Sequence, residues 1–98
     1  MLLAEKDGET AAICTLVFTL NPWVGALVCE IRDLVVTAAL RGRGIGGRLL
    51  HTAFEEARGR GAVIAYLFTE QNNAKAQAVY HRLGFSRKNC TYFEKTLR

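Results

Sequence analysis

Apolar residues follow two rhythms along this chain, strand-like as far as Thr37 and helical from Ile45 to Ala57, before the two alternate. Leu2 to Lys6 and Thr10 to Leu20 are apolar-rich runs flanking Asp7-Gly8, a strong hairpin turn signal. Asn21-Pro22 ends the second run, because proline has no amide to donate and turns start readily there. Gly25 to Thr37 is rich in Leu, Val and Ile and reads as a third, longer strand. Three consecutive strands with short links predict an antiparallel meander.

From Ile45 the period changes. Ile45, Leu49, Leu50, Ala53, Phe54 and Ala57 form one apolar stripe, with Glu55, Glu56, Arg58 and Arg60 on the other side. Gly59 or Gly61 would close that helix in a left-handed conformation. Ala62 to Phe68 is continuously apolar, as expected of a strand covered on both faces. Ala76, Val79, Tyr80 and Leu83 make a second stripe that Gly84 stops, and Thr91 to Leu97 alternates as a final strand would. The third strand, first helix and following apolar run form a βαβ crossover, for which the right hand is the rule. The expected fold is α/β, a mixed sheet of five or six strands with two main helices.

Composition narrows the setting. The 98 residues form a single expected domain spanning 1–98, and half of them are apolar, which argues against disorder. A chain of this size buries only about 60–65% of its unfolded surface. No apolar run reaches the roughly 18–20 residues of a membrane helix. The start, Met1 to Ala4 followed by Glu5, Lys6 and Asp7, does not read as a signal peptide. Cys14 and Cys29 lie in apolar strand-like runs, so with Cys90 they read as reduced thiols of a cytoplasmic protein. No Cys/His spacing suggests a metal site. The net charge of +4 suits an anionic cofactor as well as a nucleic acid and decides nothing by itself.

The segment Arg41-Gly42-Arg43-Gly44-Ile45-Gly46-Gly47 carries the most chemistry. It enters a helix, where unpaired amides and the positive end of the dipole favour an anion, and glycines let the ligand approach closely. Arg41, Arg43 and Arg48 add charge around it. A pyrophosphate fits such a place, and so does a glycine-rich helix start with no ligand. Gly42, Gly44 and Gly47 also match the dinucleotide fingerprint, with Glu70 where a ribose-binding acid would stand. The stretch from Ala38 to Arg43, the preceding meander and the little chain that follows count against a dinucleotide fold. No Gly-Lys-Ser/Thr follows, so the loop is not a Walker loop.

Two segments bear a family resemblance. Asp33-Leu-Val-Val36 and, five positions on, Arg41-Gly-Arg-Gly-Ile-Gly46 resemble motif A of the GNAT N-acetyltransferases. Asn73-Ala-Lys-Ala-Gln-Ala-Val-Tyr80-His-Arg-Leu-Gly-Phe85 resembles their second signature, an Asn seven residues before a Tyr and a closing Gly-Phe. The likeness spans about Leu2 to Leu97. Phe18 to Gly25 is more weakly similar to the polyamine and diamine acetyltransferase branch.

The resemblance implies an acetyl-CoA-dependent transfer of an acetyl group to a small amine, made directly and without a covalent enzyme intermediate. The backbone of Leu34, Val35 and Val36 would receive the acetyl and pantetheine part, the Val36 amide stabilising the oxyanion. Arg41, Gly42, Arg43, Gly44, Ile45, Gly46 and Gly47 would hold the pyrophosphate, Asn73 the pantetheine arm, and Tyr80 would protonate the leaving thiolate. Glu30, Asp33 and Glu70 are the candidate bases for the amine. The chain departs from the pattern in three ways. The strand and two helices that usually precede the hairpin are not recognised, Ala38 stands where proline is common, and Arg32 replaces the glutamate of the polyamine branch. An arginine there would repel a polycation.

Stripe position alone would make Tyr80 a core residue, and isolated carboxylates are commonly solvated; the Asn-to-Tyr spacing favours the catalytic reading of Tyr80. His51 and His81 read as surface residues and Trp23 as a turn anchor. A homodimer is expected to cover the sheet face near Trp23, while no nucleic-acid or membrane partner is expected. A non-catalytic acyl-CoA-binding module and a dinucleotide-binding fragment are the alternatives.

Overall fold

The computed structural model describes residues 2–6, 9–37 and 44–97. In chain order the elements are β1 (Leu2–Lys6), β2 (Glu9–Asn21), β3 (Ala26–Val36), α1 (Ile45–Gly59), β4 (Ile64–Tyr66) and α2 (Ala74–Arg82). The strands form one sheet in the order β1-β2-β3-β4. The first two pairings are antiparallel, and β3 pairs with β4 in parallel across the α1 connection. The meander and the crossover are therefore as the hydrophobic pattern predicts. A dinucleotide fold needs a run of parallel strands, and the single parallel pair among the described residues retires that alternative. The Asp7-Gly8 turn and the Ala38 to Arg43 segment lie outside the described residues.

Asn21 makes the turn between β2 and β3. Its Oδ1 accepts from the amides of Trp23 (2.8 Å) and Val24 (3.1 Å), and Gly25 N donates to its carbonyl. Asn is suited to this because its short side chain mimics a backbone turn. The Trp23 side chain is 95% exposed, so the turn is held by Asn21 and not by the indole.

One face of the sheet carries the core. Ala12, Cys14, Cys29 and Ile31 meet the α1 stripe of Ile45, Leu49, Leu50, Ala53 and Ala57. Leu50, Cys14 and Cys29 are the largest fully buried side chains. Phe85 ties α2 to this core, edge-on to Phe54 (5.5 Å) and to Tyr80 (5.7 Å). Its partners Ala76, Val79, Tyr80 and Leu83 are only half-buried, so α2 flanks the core and is not part of its centre. Gly61, at φ +89°, takes the left-handed conformation after α1.

Two expectations need correction. The apolar run from Ala62 to Phe68 yields only three strand residues, and Val63, Ile64 and Phe68 are exposed. A run reads as doubly covered only if layers lie on both faces, and this second face is open, with Leu3 and Val35 also exposed. The expected strand from Thr91 to Leu97 does not form, so the sheet has four strands among the described residues, not five or six. Alternation stabilises a strand by burying one side, and Phe93 is 88% exposed with no ladder partner. No helix among the described residues is long and apolar enough to cross a membrane.

Candidate functional site

The site begins with a fault in the β2–β3 ladder. Thr15 pairs with Arg32 and Ile13 with Val35, so two steps on β2 face three on β3. The extra residue is a β-bulge, and Asp33 within it has φ +54°. Aspartate tolerates this left-handed region better than most residues because its short polar side chain finds local partners. The bulge also resets the alternation. Glu30 and Arg32 lie on the open face with their partners Val17 and Thr15, whereas Leu34 and Val36 return to the core face.

The second feature is a divergence. β4 pairs with β3 only from Val28↔Ile64 to Glu30↔Tyr66, while β3 runs on to Val36. Beyond Tyr66 the chain leaves for α2, and a cleft of about 430 Å³ opens between them. Its walls bring together Glu30, Asp33 and Leu34 of β3 with Asn73 and Tyr80 of α2. These residues are up to 50 positions apart in sequence, from Glu30 to Tyr80. Glu70, the third candidate base, does not line the cleft; it is exposed, and its carbonyl accepts from the Asn73 amide and the Gln77 side chain.

Each α2 residue arrives prepared. Asn73 is the N-cap, its Oδ1 accepting from Ala76 N at 3.1 Å, a preferred capping arrangement. That leaves its side-chain amide N–H groups for a ligand. Tyr80 is half-buried, and burial pushes its phenol above the ordinary value of 10.0. A phenol so placed keeps its proton at neutral pH, as a general acid must before it acts, although burial makes it the weaker acid.

Glu30 is not a bare carboxylate. Its Oε1 accepts from Arg32 Nε (2.9 Å) and Nη2 (2.8 Å), the glutamate side chain 14% exposed and the arginine 55%. Glu30 in turn holds the guanidinium above its already high range. Alternation on a strand puts residues i and i+2 on one face, so this pairing was available from sequence as a signal. Arg32 itself lines the cleft, as do Phe68 and Thr69, which sequence reasoning did not select.

At the far end of β3 stands the start of α1. Gly44 is its N-cap at φ +75°, with no side-chain cap and no acid in the first turn. The first-turn amides of Ile45, Gly46 and Gly47 therefore face no capping oxygen from Gly44, the condition for binding an anion. A Cβ on Gly46 would stand 3.2 Å from Val36 Cγ2, so glycine lets the helix start close against the strand. Val36 thus packs against the helix start, two residues beyond Leu34 of the cleft wall, while Val35 is exposed. Of the expected pyrophosphate residues, Arg41, Gly42 and Arg43 lie outside the described residues. The first-turn amides, without a side-chain cap from Gly44, the glycine approach and the cleft together fit an anionic, elongated group such as acetyl-CoA. Among the described residues no cluster suits a metal ion.

Comparison with known proteins gives a consistent answer. The acetyltransferase (GNAT) family matches residues 1–85. An uncharacterized N-acetyltransferase of Bacillus subtilis, YhfO, is 34% identical over 85 residues, covering 87% of this chain and 57% of that protein. An aminoalkylphosphonate N-acetyltransferase of Salmonella typhimurium is 34% identical over 91 residues, covering 89% of this chain and 56% of its own length. The chain thus spans little more than half of these curated relatives. The crystal structure of an aminoglycoside acetyltransferase from a soil metagenomic sample superposes with a TM-score of 0.88 at 24% identity, over 98% of this chain and 64% of that one, a likeness of fold.

Proposed function

The chain belongs to the acetyltransferase (GNAT) family, and from that membership we propose that it moves an acetyl group from acetyl-CoA directly to a small amine. The observation that carries this reading is the cleft between β3 and β4, which holds Asn73 and Tyr80 against the β3 bulge. Acetyl-CoA supplies the activated acetyl thioester. The uncapped amides of α1 and the glycines up to Gly47 take its pyrophosphate. Asn73 donates from its amide to the pantetheine arm, and the β3 backbone from Leu34 to Val36 receives the acetyl end.

Three groups then manage protons. Asp33 lines the cleft and takes the proton of the incoming ammonium, directly or through water. The freed amine forms the new C–N bond as the C–S bond breaks, the Tyr80 hydroxyl gives its proton to the departing sulfur, and the second proton that the nitrogen sheds on becoming an amide returns to the Tyr80 phenolate through water. Glu30 acts less directly, because one of its oxygens is occupied by Arg32. Glu70 lies outside the cleft lining and has at most a remote part in this scheme. Much of the rate comes from holding amine and thioester together.

A thiol-release assay with a panel of small amines, peptides and aminoglycosides tests the proposal. Amine-dependent release of CoA supports it. Tight acetyl-CoA binding with no release on any amine would favour the non-catalytic acyl-CoA-binding module. The exposed apolar side chains Leu20 and Trp23, with Leu3 and Val35 on the open face, support self-association into a homodimer. Light scattering showing a stable 10.8 kDa species at micromolar concentration would refute the dimer.

A further inference from the structure

We propose that Arg32 is the acceptor anchor and that the acceptor is a small primary amine carrying an oxyanion, a carboxylate or a phosphonate, on a short linker. This deepens the acetyltransferase reading and rests on it. Arg32 lines the same cleft as Tyr80 and Asp33, on the strand that would receive the acetyl group. The other charged residues lining that cleft are Glu30 and Asp33. The cleft therefore presents a cation beside acids, a pattern matched by a molecule with both charges.

The details of the ion pair favour a ligand role. Glu30 Oε1 occupies one side of the guanidinium, Nε and Nη2. The end carrying Nη1 and the second Nη2 hydrogen makes no other hydrogen bond among the described residues. Two parallel N–H groups of that kind fit a carboxylate or phosphonate bidentately. Glu30 is mostly buried and Arg32 mostly exposed, so the pair holds the guanidinium by one edge while its head remains in reach of solvent. A pair with its cation so exposed adds little to stability by itself. A polycation would meet Arg32 as a like charge, whereas an amine with an anionic tail places its tail on Arg32 and its ammonium near Asp33.

The test compares matched acceptors on the 98-residue protein. Thiol release is followed with 2-aminoethylphosphonate, β-alanine, propylamine and spermidine. The wild type should favour one or both of the first two in kcat/KM, and the stronger of them identifies the anion. Arg32→Gln should lower kcat/KM for that acceptor by about 10- to 100-fold, mostly through KM, the scale of a charge-assisted hydrogen bond. The preference over propylamine should collapse with it. Arg32→Lys should recover part of the loss, and acetyl-CoA affinity measured by calorimetry should be kept in both variants. A wild-type preference for propylamine or spermidine, or an equal loss on every acceptor in Arg32→Gln, overturns the anchor while leaving the acetyltransferase reading intact. If no amine is acetylated, the acetyltransferase reading fails. Calorimetric binding of 2-aminoethylphosphonate or β-alanine to the CoA-loaded protein then decides the anchor: Arg32-dependent binding upholds it, and its absence overturns it.

Discussion

Replacing Gly44 by alanine separates backbone conformation from crowding at the start of α1. Gly44 sits at φ +75° and ψ 8°, and a Cβ there would meet nothing within 4 Å among the described residues. Sterics with neighbours therefore cost nothing, and the whole penalty is the left-handed conformation, about 1–2 kcal/mol for an L-residue. A domain of this size loses about 4–8 °C in Tm per kcal/mol, so Gly44→Ala should melt about 4–16 °C below wild type. Asparagine visits this region more readily, so Gly44→Asn should lose less. Gly46→Ala is the contrasting case. Its φ lies outside the left-handed region, so alanine gains about 0.5–1 kcal/mol of helix preference and opposes it with the 3.2 Å approach to Val36 Cγ2. Its net effect on Tm should be small. Calorimetric melts with and without acetyl-CoA give both stability and binding. Saturating ligand at 100 times its Kd adds about 2.7 kcal/mol to wild type. Gly44→Ala should lose part of that gain, because relief of the strained φ re-aims the first-turn amides. A Gly44→Ala protein melting with wild type and binding acetyl-CoA equally would refute both the strain and the anion site.

Burial and charge support four further predictions. Tyr80→Phe should lower kcat by about 100-fold with acetyl-CoA binding kept, and because burial raises the phenol pKa, the alkaline loss of rate due to Tyr80 should fall above its ordinary value of 10.0; a near-wild-type kcat would leave Tyr80 as a packing residue. A thiol reagent should modify Cys90 at once and reach Cys14 and Cys29 only on unfolding, since the first is exposed and the other two are fully buried. Burial also raises both buried thiols above 9.0, so the unfolded chain releases their protons first and stability should fall as pH rises past about 9; stability flat to pH 10.5 would contradict this. Leu50→Ala should cost about 2–5 kcal/mol by denaturant melt, because Leu50 is fully buried at the centre of the α1 stripe.

Local periodicity and local chemistry were enough for much of this protein. The α1 stripe from Ile45 to Ala57, the Asn21-Pro22 break and the glycine-rich helix start were all legible, because each depends on residues within a turn or two of one another. The Asn73-to-Tyr80 spacing was legible for the same reason, being one face of one short helix. What the structure alone decided is non-local. The bulge at Asp33 exists only as a mismatch with β2, since a strand has no register until it has a partner. The cleft arises because β4 stops pairing after Tyr66, although the apolar run continues to Phe68. Thr91 to Leu97 alternates like a strand yet finds no ladder. Glu30 and Arg32 share one strand face by alternation, which the sequence carries, but that they stand in the wall of a cleft facing Tyr80 came only with the fold. Hydrogen-bond ladders and burial depend on which distant segments become neighbours, and a one-dimensional pattern carries the preference for such contacts but not the contacts themselves.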